Sequence, residues 1–196
     1  MKLYWFQVAP NPTKVRLYIA EKNAVGAGID LEEVVVKLPK GEQNLPEHEA
    51  RNPFRSLPVL ELDDGTVLIE TLPIIEYLEE LYPNPPLIGN NPVRRALVRS
   101  WERRCEIGVY LTASRMVLSK GAVSEQARKI LTHRLPLIDA GLEGQEWLAG
   151  DFSIADIMLL IGLDTAHHGD TFRLDSGLHN LANWYERVKE RPSSAV

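Results

Sequence analysis

Pro58-Val-Leu-Glu-Leu-Asp-Asp-Gly-Thr-Val-Leu-Ile69 places two short apolar runs on either side of Asp64-Gly65. Asp-Gly accepts the positive backbone angles of a tight turn, so this stretch predicts an antiparallel hairpin. Upstream, Lys2-Leu-Tyr-Trp-Phe-Gln-Val8 is aromatic and β-branched and stops at Pro10, which predicts a strand and then a turn, with Tyr4 pointing into the domain. Between Thr13 and Asn23, the residues Val15, Leu17, Tyr18, Ile19 and Ala20 fall near helical spacing, and Asn23, Gly26 and Gly28 end the run. Leu31-Glu-Glu-Val-Val-Val36 predicts a second strand. A strand, a helix and a strand in so short a span make a right-handed βαβ unit with parallel strands. Pro39 to Phe54 is polar and broken by prolines, a loop with room for one short helix. Downstream of the hairpin, Leu72 to Tyr82 carries Ile74, Ile75, Leu78 and Leu81 on one helical face.

The resulting order, β-α-β-(α)-β-β-α, is that of a thioredoxin-like α/β domain over residues 1–82. Residues 83–92 are dense in proline, asparagine and glycine and read as a linker. From residue 93 to 196 the alternation disappears and helical spacing takes over, with Leu97, Trp101, Cys105, Gly108 and Thr112 at steps of three or four. The second domain is therefore all-α. A long helix is predicted over Ser124–Leu142, kinked or divided by Pro136. Further helices start at Phe152-Ser-Ile-Ala-Asp156, whose Ser153 and Asp156 have capping-box spacing, and at Leu178.

The chain has 196 residues, 44% of them hydrophobic and 25% charged, with a net charge of −5. Charges of both signs are interspersed, so neither nucleic acid nor an anionic membrane is expected as a partner. Cys105 is the only cysteine, which rules out an internal disulfide and fits the cytoplasm. No segment approaches the roughly 18 apolar residues of a membrane span, and the N-terminus does not read as a signal peptide. Cys105, at helical spacing, reads as a small buried hydrophobe. His167 and His168, as neighbours on a helix, diverge by about 100° and cannot aim at one metal, so no metal site is expected.

The pieces APNPTKVRLYIAEKN, KGEQNLPEHEARNPFRSLPVLELDDG, LIETLPIIEYLEELYP, WLAGDFSIADI and WYERVKERPS stand in that order along the chain. Together they resemble the cytosolic glutathione transferase superfamily, nearest to its theta/phi-like and atypical fungal or bacterial classes. The resemblance implies glutathione as co-substrate, held by residues 1–82, and a hydrophobic electrophile received by the helical domain, where Tyr110, Ser114 and Met116 are candidates for its lining. It also implies detoxification chemistry and a homodimer that joins the N-terminal domain of one chain to the helical domain of the other, with Arg94, Arg95 and Arg99 as contributors.

For the site, the resemblance implies that Leu57-Pro58 is a cis step whose backbone pairs with the cysteinyl unit of glutathione. Gln43, with Lys40 and Asn44 beside it, stands where a polar or basic residue meets the glycyl carboxylate. Glu70 would accept from the γ-glutamyl ammonium. Thr71 also has a physical argument of its own. It precedes an apolar periodic run as an N-cap would, and a helix N-terminus offers free N–H groups to a carboxylate.

The chain departs from the family at the end of the first strand. Several classes carry a Ser or Cys just before the proline to hold the glutathione sulfur, and this chain has Ala9. Asn11 and Thr13 are then the nearest candidates for activating the thiol, with the N–H groups of the first helix and, from the second domain, Ser114. Two rival readings stay open. One is a glutathione-dependent reductase, isomerase or dehalogenase on the same fold. The other is a non-enzymatic glutathione-binding or interaction module.

Overall fold

Strand β1 (Lys2–Trp5) runs parallel to β2 (Glu32–Val35), with Lys2 opposite Glu32 and Trp5 opposite Val35. On its other side it pairs antiparallel with β3 (Val59–Glu61), which pairs antiparallel with β4 (Val67–Ile69), giving the sheet order β2-β1-β3-β4. The computed structural model describes residues 1–168 and 172–195, and the chain divides into two units, residues 1–85 and 86–194.

In the first unit the turn between β3 and β4 is wider than Asp64-Gly65 alone would give. Leu62 N–H donates to Thr66 O at 2.8 Å, and Gly65 N–H donates to Leu62 O at 3.0 Å. The loop is thus Asp63-Asp64-Gly65, and only Gly65 takes a positive φ, at +86°. A three-residue loop closes with a single left-handed residue, where the two-residue type I′ turn that suits Asp-Gly needs two.

Helix α1 (Pro10–Ala24) starts three residues before the predicted Thr13, because the fixed φ of Pro10 is already helical at the first position. The first strand correspondingly stops at Trp5. A short α2 (Pro46–Arg51) and then α3 (Thr71–Leu81) complete the unit. Helix α3 buries Ile74, Ile75 and Leu78, and α1 buries Val15, Leu17 and Tyr18. Lys22 on α1 is fully buried and reaches the Glu79 carboxylate of α3 at 2.6 Å, to which the Tyr18 hydroxyl also donates, at 2.7 Å. Tyr4, Val36, Leu57 and Val59 form a second buried cluster, so Tyr4 does point into the unit; its hydroxyl donates to Glu61 at 2.8 Å.

The second unit is helical: α4 (Pro92–Cys105), α5 (Leu111–Leu118), α6 (Ala122–Gly141), α7 (Ile154–His167) and α8 (His179–Lys189). The spacing from Leu97 to Thr112 predicts one continuous helix, but a π turn, Glu106–Tyr110, interrupts it. A π turn widens the ladder by one residue and strands carbonyls that a regular helix would satisfy. Arg134 on α6 answers that need, donating to Ile107 O at 3.2 Å and Gly108 O at 3.3 Å, while the Thr112 hydroxyl donates to Ile107 O at 3.1 Å. Helix α6 runs through Pro136 without dividing, since proline deletes only one donor from a long ladder.

Helix α7 is apolar nearly all round and buried, as a central helix should be. Its start is the predicted capping box. The Asp156 carboxylate accepts from the N–H groups of Leu148 and Ser153, from the Ser153 hydroxyl and from Trp184 Nε1, at 2.9–3.1 Å. Burial nevertheless pushes this carboxyl up to about 6 against those donors. Cys105 is fully buried and burial pushes its thiol up, which suits the inert role read for it. His167 lies edge-on to Tyr185, and no metal-holding cluster is present among the described residues.

Candidate functional site

The start of α1 is poor in donors. Ala9 occupies the N-cap with no side-chain capping bond, and its own N–H goes to Phe6 O at 3.1 Å. Pro10 and Pro12 have no N–H to give. The Thr13 N–H and hydroxyl both return to Ala9 O, at 3.2 and 2.9 Å. The expectation that several N–H groups of this helix are available is therefore corrected: in its first turn Asn11 alone keeps an uncommitted amide N–H among the described residues. The Asn11 side chain is held from below, with Oδ1 accepting from Lys14 Nζ at 2.8 Å, and Lys14 is buried.

The start of α3 reaches the same place. Thr71 was expected at the N-cap, but Glu70 holds that position and Thr71 is the first helical residue. The Thr71 hydroxyl is turned elsewhere and donates to Asn11 O at 3.5 Å, which ties the beginnings of α1 and α3 together. Glu70 adopts φ 72°, ψ 137°, a region that only glycine enters without strain, and it is exposed. Strain of this kind points to a side chain whose direction matters. Pro73 has no N–H and Ile74 N–H returns to Glu70 O at 3.2 Å, so the amides of Thr71 and Leu72 form the open positive end of α3.

The peptide bond between Leu57 and Pro58 is cis, and both residues are buried where β3 begins. Leu57 makes no main-chain hydrogen bond within the described residues, leaving its N–H and C=O able to pair with an extended ligand backbone. Gln43 sits in a 3₁₀ turn, Glu42–Asn44, with its Oε1 buried and unpartnered, while Lys40 and Asn44 are exposed. The structure thus joins Asn11, Thr13, Glu70 and Thr71 at the two helix starts, with Leu57 and Pro58 at a strand end of the same unit.

Ser114 belongs to the second unit, on α5, where it is half-buried and hydrogen-bonded to the Tyr110 phenol. Burial dominates there and pushes the phenol up. Two open cavities of this unit, about 660 and 450 Å³, share Ile107 and Arg134 in their walls. Neither is lined by Tyr110, Ser114 or Met116. Sequence reading also passed over Lys14, Leu72 and the loss of donors at the first helix. The alternating Pro10 and Pro12 were a visible signal for that loss, whereas the burial of Lys14 left none.

Two family models cover most of the chain: the N-terminal domain of glutathione S-transferase matches residues 3–86 and its C-terminal domain residues 101–192. Glutathione S-transferase 2 of Saccharomyces cerevisiae is 32% identical, covering 98% of this chain and 87% of its own length. A maleylacetoacetate isomerase of Pseudomonas aeruginosa is 34% identical over 82% of this chain and 78% of its own. Among solved structures, a glutathione S-transferase domain-containing protein of Marinobacter aquaeolei superimposes with a TM-score of 0.89 at 31% identity, covering 98% of this chain and 99% of the other. The two models and these relatives span almost the whole length of the chain, and the chain belongs to the glutathione S-transferase family.

Proposed function

We propose that this chain catalyses attack of the glutathione thiolate on hydrophobic electrophiles, with residues 1–82 holding glutathione and residues 93–196 receiving the second substrate. The observation that carries this reading is the tie between Thr71 and Asn11, which sets two helix starts side by side. The γ-glutamyl carboxylate lies at the open amides of Thr71 and Leu72, and its ammonium on Glu70. The cysteinyl backbone pairs with Leu57 ahead of Pro58, and the glycyl carboxylate meets Gln43.

The sulfur then falls at the start of α1, where Ala9 offers no hydroxyl. A free thiol with a pKa of about 8.5 is only a few per cent ionised at pH 7, and lowering it by two units takes about 2.7 kcal/mol of preferential thiolate stabilisation. Asn11 supplies it through N–H donation at the positive end of the helix, while the Thr13 hydroxyl donates to Ala9 O. Glutathione is the co-substrate, and no metal takes part.

A homodimer and a cytoplasmic location complete the reading. Exposed Val93, Leu97, Ile107 and Leu111 along α4, the π turn and the start of α5 support the dimer. No helix among the described residues is long and apolar enough to cross a membrane. The test is retention on immobilised glutathione followed by turnover of a chromogenic electrophile; a folded protein that does neither loses the reading. Similarity to the Pseudomonas isomerase favours a second reading, glutathione-dependent isomerisation, at the same site. Glutathione binding with isomerisation of a cis-enedione acid, and no conjugate formed, would select it.

A further inference from the structure

Lys14 is a buried lysine that the sequence reading left unused. It lies 1% exposed in the second turn of α1, and its Nζ donates to Asn11 Oδ1 at 2.8 Å. An ammonium has three donors and no acceptor, so it can face only the oxygen of an amide. The orientation of the Asn11 side chain, which an isolated amide would leave open, is thereby fixed with Oδ1 towards Lys14 and Nδ2 away from it. Nδ2 has no protein partner among the described residues, and neither has the Asn11 main-chain N–H. Pro10 and Pro12 on either side remove the other amides of the turn, so one residue presents both of the donors that this helix start has left.

We propose that Lys14 is a positioning residue for thiol activation: by holding Asn11 Oδ1 it aims the Nδ2–H and N–H donors of Asn11 at the glutathione sulfur. This rests on the transferase reading above. The lysine need not touch the sulfur. Its positive charge polarises the amide through the hydrogen bond, as in other charge-assisted chains, and stabilises an anion on the far side. The thiol proton leaves to water, and the two N–H groups meet the thiolate lone pairs that remain.

The experiment compares wild type with Lys14→Met, Lys14→Arg and Asn11→Asp. Thiolate absorbance titration of bound glutathione gives the thiol pKa, calorimetry gives glutathione affinity, and steady-state rates give kcat and KM. Lys14→Met is expected to raise the bound thiol pKa by about one unit and lower kcat at neutral pH about tenfold, with glutathione affinity changed less than about twofold. Lys14→Arg keeps a charged donor and is expected to recover most of that loss. Asn11→Asp keeps an oxygen facing Lys14 but removes the Nδ2 donor, and is expected to raise the pKa at least as far. An unchanged pKa in Lys14→Met overturns the proposal, as does a Lys14→Arg protein no better than Lys14→Met. Should Lys14→Met not fold, Asn11→Asp decides alone: an unchanged pKa there overturns it. Calorimetry keeps the two conclusions apart. A wild-type protein that binds no glutathione removes the transferase reading itself, whereas normal binding with a thiol pKa indifferent to Lys14 removes only the role of Lys14.

Discussion

Glu70 carries the sharpest conflict between a residue and its backbone. Its φ of 72° is costly for any side chain, so its retention in the fold opposes stability by about 1 kcal/mol or more. Two substitutions separate shape from charge. Glu70→Ala keeps the strain, loses the carboxylate and is expected to weaken glutathione binding by at least about 1.5 kcal/mol, read by calorimetry. Glu70→Gly should lose the same affinity while raising the unfolding free energy by about 1 kcal/mol in urea. A glycine variant no more stable than wild type would mean the strain is not local to this residue. At this scale the cis step at Leu57-Pro58 was legible from order and resemblance. The conformation of Glu70 was not legible, because no propensity announces a non-glycine residue in the left-handed half of the map. The same holds for Lys14, whose charge reads as surface until its burial is seen.

Elements were legible where one period dominates. The hairpin, α3 and the capped start of α7 each rest on a local pattern that packing does not contradict. The π turn at Glu106–Tyr110 was hidden, because steps of three and four continue across it and only the carbonyls clamped by Arg134 betray the extra residue. The capping box at α7 makes a prediction with a definite sign. Burial raises the folded-state pKa of Asp156 to about 6, above its unfolded value. A raised carboxyl contributes stability that is fully present at low pH and is lost as pH rises through the folded value. Asp156→Asn removes the titration, so the stability of wild type relative to Asp156→Asn should fall by about 1 kcal/mol between pH 5 and pH 7. Urea unfolding of both proteins at the two pH values checks this, and a difference that grows with pH would show that the four donors outweigh burial.

The whole molecule depends on surfaces that the chain leaves uncovered. Val93, Leu97, Ile107 and Leu111 are 45–68% exposed along α4, the π turn and the start of α5, and Phe54 of the first unit is 79% exposed. The arginines first considered for the dimer contact are partly engaged within the chain, Arg94 with Asp151 at 2.6 Å and Arg95 with Gly89 O at 3.1 Å. Apolar burial is therefore the stronger candidate for association. Light scattering of the wild type is expected to give twice the chain mass of 22.1 kDa, and Leu97→Glu combined with Ile107→Glu is expected to give the single mass. A monomeric wild type across micromolar concentrations would refute the dimer. Behind that surface, the wide turn at Glu106–Tyr110 works as a phase keeper. In an unwidened helix, one residue more than a regular ladder needs would rotate everything after it by about 100° relative to α4. Deleting Gly108 should let α4 and α5 fuse into one regular helix while Ser114 keeps its present bearing, because the wide turn already absorbs the surplus residue. A chain with this turn can thus gain or lose a single residue there without moving the face that the residues after it present.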